Sequence, residues 1–244
     1  MFPNLCSLRV SRAGAGTATD PLIPPPNRFP VLQDLTLHGY RFHAESPSID
    51  ALWPEICQLT SLRLENCRFN AESLPQTLRR TMPKLQSLAL FAVFSKFTDQ
   101  GLPPYFGDSL QDLWIERRHW GCWCIPKFSL LNSLRSLHID WCSFSEGVPW
   151  MTPNLLSISI AIPEEIAYDP PNYDQFEASL EHLSQDLPNL KLIRVLVDRR
   201  YPPVLKHQIE LRRKLRLQGI RLIIELVFRG KRTIFLPSCT LFIN

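Results

Sequence analysis

Apolar residues recur along this chain in one spacing. An apolar position is followed by two variable ones, a second apolar position, one variable one and a third apolar position. The copies begin with Leu5, Leu8 and Val10, then Leu32, Leu35 and Leu37, then Leu59, Leu62 and Leu64. They continue with Leu85, Leu88 and Leu90, Leu110, Leu113 and Ile115, and Leu134, Leu137 and Ile139. Leu155, Ile158 and Ile160 follow, then Leu190, Ile193 and Val195, and a weaker ninth copy reads Leu217, Ile220 and Leu222. Pro often stands two places before the first position, as at Pro3, Pro30, Pro83, Pro153 and Pro188. The last two apolar positions alternate with polar ones, which is the period of a strand. Leu62 and Leu64 then face a core, while Ser61, Arg63 and Glu65 face water. The first leucines are separated by steps of 27, 27, 26, 25, 24, 21, 35 and 27 residues. No such unit buries its apolar side alone, so stacked neighbours complete one core and form a parallel sheet with one polar face.

Most of these steps fall in the range of about 20–29 residues typical of leucine-rich repeats. Over essentially its whole length the chain resembles that family. Cys67 and Cys142 fall where the family places Asn or Cys, in the turn after the strand. Ala13, Tyr40, Val93, Arg118, Pro163 and Asp198 occupy that position in other copies, so the resemblance is to an irregular array without a regular Asn or Cys ladder. It implies an α/β fold: a leucine-rich-repeat solenoid, or horseshoe, with a parallel concave sheet and an irregular or helical convex side. Residues 1–244 then form a single solenoid of about eight or nine irregular repeats. The uneven repeats and the Pro-x-Leu starts also resemble the substrate-binding repeat half of F-box leucine-rich-repeat proteins, especially fungal ones. That likeness implies a substrate receptor for an SCF-type ubiquitin ligase, engaged through a Skp-type adaptor. The F-box that would contact the adaptor is not in this sequence.

The segments between strands predict the return path. Residues 70–81 read as a helix with Asn70 near its N-cap and Leu74 and Leu78 on one face. Residues 173–187 place Phe176, Leu180, Leu183 and Leu187 on one stripe, with Asp174 as candidate N-cap and Pro188 as terminator. The 35-residue step has room for this helix. Residues 204–218 read as a third helix, after Pro202 and Pro203 and before Gly219 as its C′ residue. Residues 20–30 hold five prolines and read as an extended loop. Residues 199–244 read as a basic C-terminal helix followed by a capping strand or hairpin over 234–243. A complete repeat begins almost at Met1 with no polar cap, so the pattern predicts a further segment before it.

Composition adds three constraints. The net charge is +4, which gives no general argument for nucleic acid. The excess is local: 199–232 holds eleven basic residues against Glu210 and Glu225. This stretch is either a solvated face or a phosphate- or lipid-facing patch. Seven cysteines without a regular framework, and no charged leader before an apolar run, predict free thiols and a cytoplasmic or nuclear protein. The apolar run 220–228 contains Arg221 and Glu225 and is too short to span a bilayer.

No catalytic motif is present, neither a phosphate-binding glycine loop nor a nucleophile elbow nor a zinc-protease helix. The nearest metal-like group is His119, Cys122 and Cys124, one ligand short of a structural zinc site and beside Trp120 and Trp123, so it reads as a packed loop. Ser136, His138 and Asp140 share one strand face, where side chains run parallel and do not align a nucleophile with a base. They read as solvated polar positions. The sequence therefore predicts no metal, no cofactor and no enzyme.

The outward column is the better functional evidence. Phe91 and Trp114 lie on it, and a polar sheet face has no structural need for large aromatics. With Arg63, Glu65, Glu116, His138 and Asp140 around them, they read as a protein-binding hot spot. The competing reading is that the rings pack on each other across adjacent strands. Arg117, Arg118, His119, Trp120 and Trp141 would extend such a surface. The expectation is a protein-recognition module binding a partner on its concave face. A regulatory repeat fragment of another class, acting on GTPases or in immunity, and a phosphate or nucleic-acid binder through the basic patch are the alternatives.

Overall fold

Each apolar copy becomes a strand, and the strands stack in chain order. The computed structural model describes residues 4–11, 30–39, 41–42, 58–69, 82, 84–91, 94–95, 108–116, 131–140, 152, 154–162, 173–198 and 208–227. Its main strands are β1 (Ser7–Ser11), β2 (Asp34–His38), β4 (Ser61–Glu65), β6 (Ser87–Phe91), β8 (Asp112–Glu116), β9 (Ser136–Asp140), β10 (Ser157–Ile162), β11 (Leu192–Asp198) and β12 (Arg221–Val227). They form one nine-stranded sheet in the order β1-β2-β4-β6-β8-β9-β10-β11-β12, and every pairing is parallel. Three two-residue strands, β3 (Arg41–Phe42), β5 (Arg68–Phe69) and β7 (Phe94–Ser95), form a second, smaller parallel sheet after the first turn. The chain is a repeat solenoid of parallel strands.

The register follows the apolar pattern. Leu8 pairs with Leu35, Leu35 with Leu62, Leu62 with Leu88, and Leu88 with Leu113. The series continues through Leu137, Ile158 and Ile193. From Leu35 onward these residues are buried, as are Leu37, Leu64, Leu90, Ile115, Ile139, Ile160 and Val195 beside them. Each fully buried leucine contributes about 1.5–3 kcal/mol. A one-residue slip would move a whole row onto the polar face, so the rows fix the pairing. Leu8 and Val10 on the outer strand β1 are only partly buried.

One hydrogen-bond motif repeats where each strand begins. The Gln33 and Asp34 amides both donate to the Cys6 carbonyl, at 2.8 and 3.0 Å. The same double donation is made to the carbonyls of Gln33, Thr60, Gln86, Gln111, Arg135 and Leu156. A turn precedes it: the amides of Leu85, Leu134, Leu155 and Leu190 donate to the carbonyls of Met82, Leu131, Thr152 and Leu187, three residues earlier. Those four acceptors are buried, so three of the copies carry a further apolar position and one carries Thr152 in its place.

After the strand the chain turns through left-handed backbone. Gly39 has φ +78° and Asn66, one repeat later, has φ +52°. Asn is the non-glycine residue best suited to this region. The Gly39 amide donates to Glu65 O and the Asn66 amide to Phe91 O, each at 2.8 Å. Cys67 follows, fully buried, with its Sγ 3.6 Å from Leu37 O and 3.5 Å from Glu65 O, either of which can accept its one proton.

Two helices are described. Helix α1 (Tyr173–Asp186) occupies the 35-residue step and buries Phe176, Leu180 and Leu183, with Leu187 just beyond its end. Its first residue is Tyr173, so Asp174 stands within the first turn. Helix α2 (Gln208–Leu217) buries Leu211 and Leu215 against the core. It ends in a complete Schellman motif: the Ile220 amide donates to Leu215 O at 2.9 Å and the Gly219 amide to Arg216 O at 3.0 Å, with Gly219 at φ +80°.

The ninth apolar copy is displaced from the sequence reading. Leu222 pairs with Ile193, and Ile224 with Val195. The repeat spacing, which places Leu217, Ile220 and Leu222 at the three apolar positions, is two residues early. Leu217 is the last residue of α2 and is exposed. The expected helix at 70–81, the proline loop at 20–30, the N-terminal part of the 204–218 helix, and the terminal strand at 234–243 lie outside the described residues.

Candidate functional site

The residues between the buried ones form the other face of the sheet. One row begins the strands: Ser7, Asp34, Ser61, Ser87, Asp112, Ser136 and Ser157, each paired with the next. These short polar side chains keep that margin of the face low. The second row runs Arg9, Thr36, Arg63, Ala89, Trp114, His138, Ser159 and Arg194, and the third includes Ser11, His38, Glu65, Phe91 and Glu116. All seven sequence-predicted site residues therefore stand on this face: Arg63 and Glu65 on β4, Phe91 on β6, Trp114 and Glu116 on β8, His138 and Asp140 on β9.

Four of them form a continuous stack across four strands. Arg63 and Trp114 are both opposite Ala89, whose methyl group leaves space between them. Phe91, two residues along the same strand, fills that space diagonally. The Arg63 guanidinium lies over the Phe91 ring at 4.2 Å from its centroid. Phe91 and Trp114 have centroids 5.2 Å apart at 47°, and Trp114 stacks on the His138 ring at 3.6 Å and 20°. The rings pack on each other across adjacent strands. Phe91 and Trp114 nevertheless remain partly exposed.

The charged members depart from the sequence expectation. The strand alternation places Arg63, Glu65, His138 and Asp140 in water, yet they are only 7, 2, 5 and 3% exposed. Strand parity points them away from the aliphatic core, as expected, but that face does not leave them in water. Glu65 accepts from Arg63 Nε and from Arg9 Nη2, the latter at 3.0 Å. Burial pulls the Arg63 pKa below its ordinary value, while Glu65 and, more weakly, Glu116 oppose that shift. His38 and the Asn66 amide lie 2.8 Å apart beside this group. Arg63 Nη2 and Trp114 Nε1 are buried and have no hydrogen-bond partner among the described residues. Such a donor left unsatisfied costs about 1–3 kcal/mol.

Ser136, His138 and Asp140 occupy alternate positions of one strand, and the His138 ring is engaged face to face with Trp114. Among the described residues no group of three or more His, Cys, Asp or Glu side chains is placed to hold a metal ion. His119, Cys122 and Cys124 lie outside them, as do Arg117, Arg118, Trp120 and Trp141. No described helix is long and apolar enough to cross a membrane. What the arrangement offers is a shape: two fixed aromatic plates, flanked by Glu116 and half-buried serines, in the middle of a parallel sheet. Ala89 at the centre of the stack and the serine row are features of the face that the apolar spacing does not mark. Their signal was a Ser or Asp before the second apolar position of seven copies. No protein-family model matches the chain, and no curated protein matches it in sequence.

Proposed function

We propose that the chain is a leucine-rich-repeat horseshoe whose concave sheet face recognises a protein partner without catalysing a reaction on it. The repeat identity draws support from the in-register apolar rows and from Cys67, buried and bonded to backbone carbonyls at the position where that family uses Asn or Cys. The observation that carries the function is the half-exposed Phe91–Trp114 pair, clamped between Arg63 and His138. Aromatic side chains already fixed in one geometry lose little entropy on binding, which is the property of a hot spot. Glu116, partly exposed beside Trp114, supplies a charge that helps select among partners.

The narrower form of this proposal is a substrate receptor of an SCF-type ubiquitin ligase, joined to a Skp-type adaptor through an F-box outside this sequence. It rests on the likeness of the repeats. Affinity capture from the source cell tests the general reading, with the native chain and a Phe91→Ala/Trp114→Ala chain as paired baits compared by mass spectrometry. Proteins held by the native bait and lost by the variant support the face as the interface. The same set on both baits refutes it. Adaptor and ligase subunits co-purifying with a form of the chain that carries an F-box would support the narrower version.

A further inference from the structure

The C-terminal end of the sheet carries a second surface. Helix α2 turns Leu211 and Leu215 inward. On its other side Ile209, Arg213, Arg216 and Leu217 follow one another at the i, i+4, i+7 and i+8 spacing of a single stripe. Ile209 is 87% exposed and Leu217 82%, so two large aliphatic side chains stand in water between arginines. Lys214 is committed elsewhere, with its Nζ 2.8 Å from Glu181 and 3.9 Å from Glu210. Arg212, Arg213, Arg216 and Arg221 have no ion-pair partner among the described residues. Arg212, Arg216 and Arg221 also line an open cleft of about 690 Å³ between α2 and β12, with Ile220, Leu222 and Ile224 as its aliphatic floor.

We propose that this end of the solenoid docks on an anionic lipid surface. The three cleft arginines hold a headgroup phosphate, and Ile209 and Leu217 enter the boundary between headgroups and acyl chains. The charge is of the right sign, and the arginine geometry suits phosphate oxygens. Exposed aliphatics interleaved with basic residues on one helical stripe are the composition of an interfacial helix. A nucleic-acid backbone would use the arginines but not Ile209 and Leu217, and the described cleft lining holds no aromatic on which a base would stack.

Vesicle flotation tests this with the whole chain. One vesicle is phosphatidylcholine alone and the other contains about one-third phosphatidylserine. The expected result is flotation with the anionic vesicles only, weakening as salt is raised. Each basic residue near such a surface gives roughly a fivefold gain in partitioning, so Arg212→Ala/Arg216→Ala/Arg221→Ala lowers it on the order of a hundredfold. Ile209→Ser/Leu217→Ser, which changes no charge, lowers it by at least about tenfold. All five positions are exposed, so circular dichroism of both variants should match the native chain. Absence of flotation at low salt overturns the proposal. Flotation indifferent to Ile209→Ser/Leu217→Ser overturns it too, because charge attraction alone would then account for binding. Tighter binding to a DNA duplex, lost only with the arginines, would assign the surface to nucleic acid instead.

Discussion

Glu65 is the residue on which the polar face turns, and its removal has a calculable consequence. Its carboxylate is 3% exposed and bridges two arginines of unlike environment. The Arg9 side chain is 63% exposed, so that pair contributes about 0–1 kcal/mol. The Arg63 side chain is 8% exposed, and removing its partner strands a buried charge at a cost of about 3–5 kcal/mol. Glu65→Gln keeps the shape and one acceptor, so its loss should fall near the lower end, about 3 kcal/mol. Arg9→Ala should cost less than about 1 kcal/mol. The variant Arg63→Met/Glu65→Leu removes both charges and should recover most of the loss, since buried pairs are often replaced by apolar residues without penalty. Urea denaturation followed by circular dichroism measures all three against the native chain. Equal costs for Arg9→Ala and Glu65→Gln would refute the assignment of burial to the Arg63 pair. So would an Arg63→Met/Glu65→Leu variant no more stable than Glu65→Gln.

Three further expectations follow from single positions. Asp112 is exposed at its outer edge, but partial desolvation by its strand neighbours holds its carboxyl above the ordinary pKa, with Arg135 opposing. Its folded state favours the proton, so its contribution is fully present in acid and is lost as pH rises through the raised folded value. Asp112→Asn should therefore raise the thermal midpoint at neutral pH, with the gain fading as pH falls through the carboxylate range; a gain confined to acid would be the wrong sign. Cys6 is exposed and Cys67 buried, so a thiol reagent with site-resolved mass spectrometry should label Cys6 at once and Cys67 only on unfolding. Gly219→Ala meets nothing within 4 Å of the added Cβ, so its cost should be the left-handed backbone alone, about 1–2 kcal/mol, with Gly219→Asn losing less.

The apolar rows, and with them the register of the first eight main strands, were legible because a strand's period and a repeat's period reinforce each other. Helix α1 was legible from Phe176, Leu180 and Leu183, and the end of α2 from Gly219. The ninth strand was misplaced for a physical reason. In the run 220–224 apolar residues stand at alternate places and at an adjacent one, so a shift of two residues preserves strand parity. What decides between the registers is the length that α2 needs before its glycine cap. The burial of Arg63, Glu65, His138 and Asp140 was hidden for another reason. Parity tells which face a side chain takes, not whether neighbours cover it, and Arg9 and Glu65 meet from 56 residues apart. The two-residue strands were too short for any periodicity, although Arg-Phe at 41–42 and again at 68–69 marked two of them.

Photo-crosslinking from position 89 tests the central claim most directly. Ala89 is half-buried at the middle of the stack, opposite both Arg63 and Trp114. A photo-reactive residue placed there, in the source cell, should trap a discrete protein partner. The same residue at Gln58, exposed in the turn before β4, should trap none. Crosslinks from position 58 but not from 89 would contradict the account and move recognition off the sheet face.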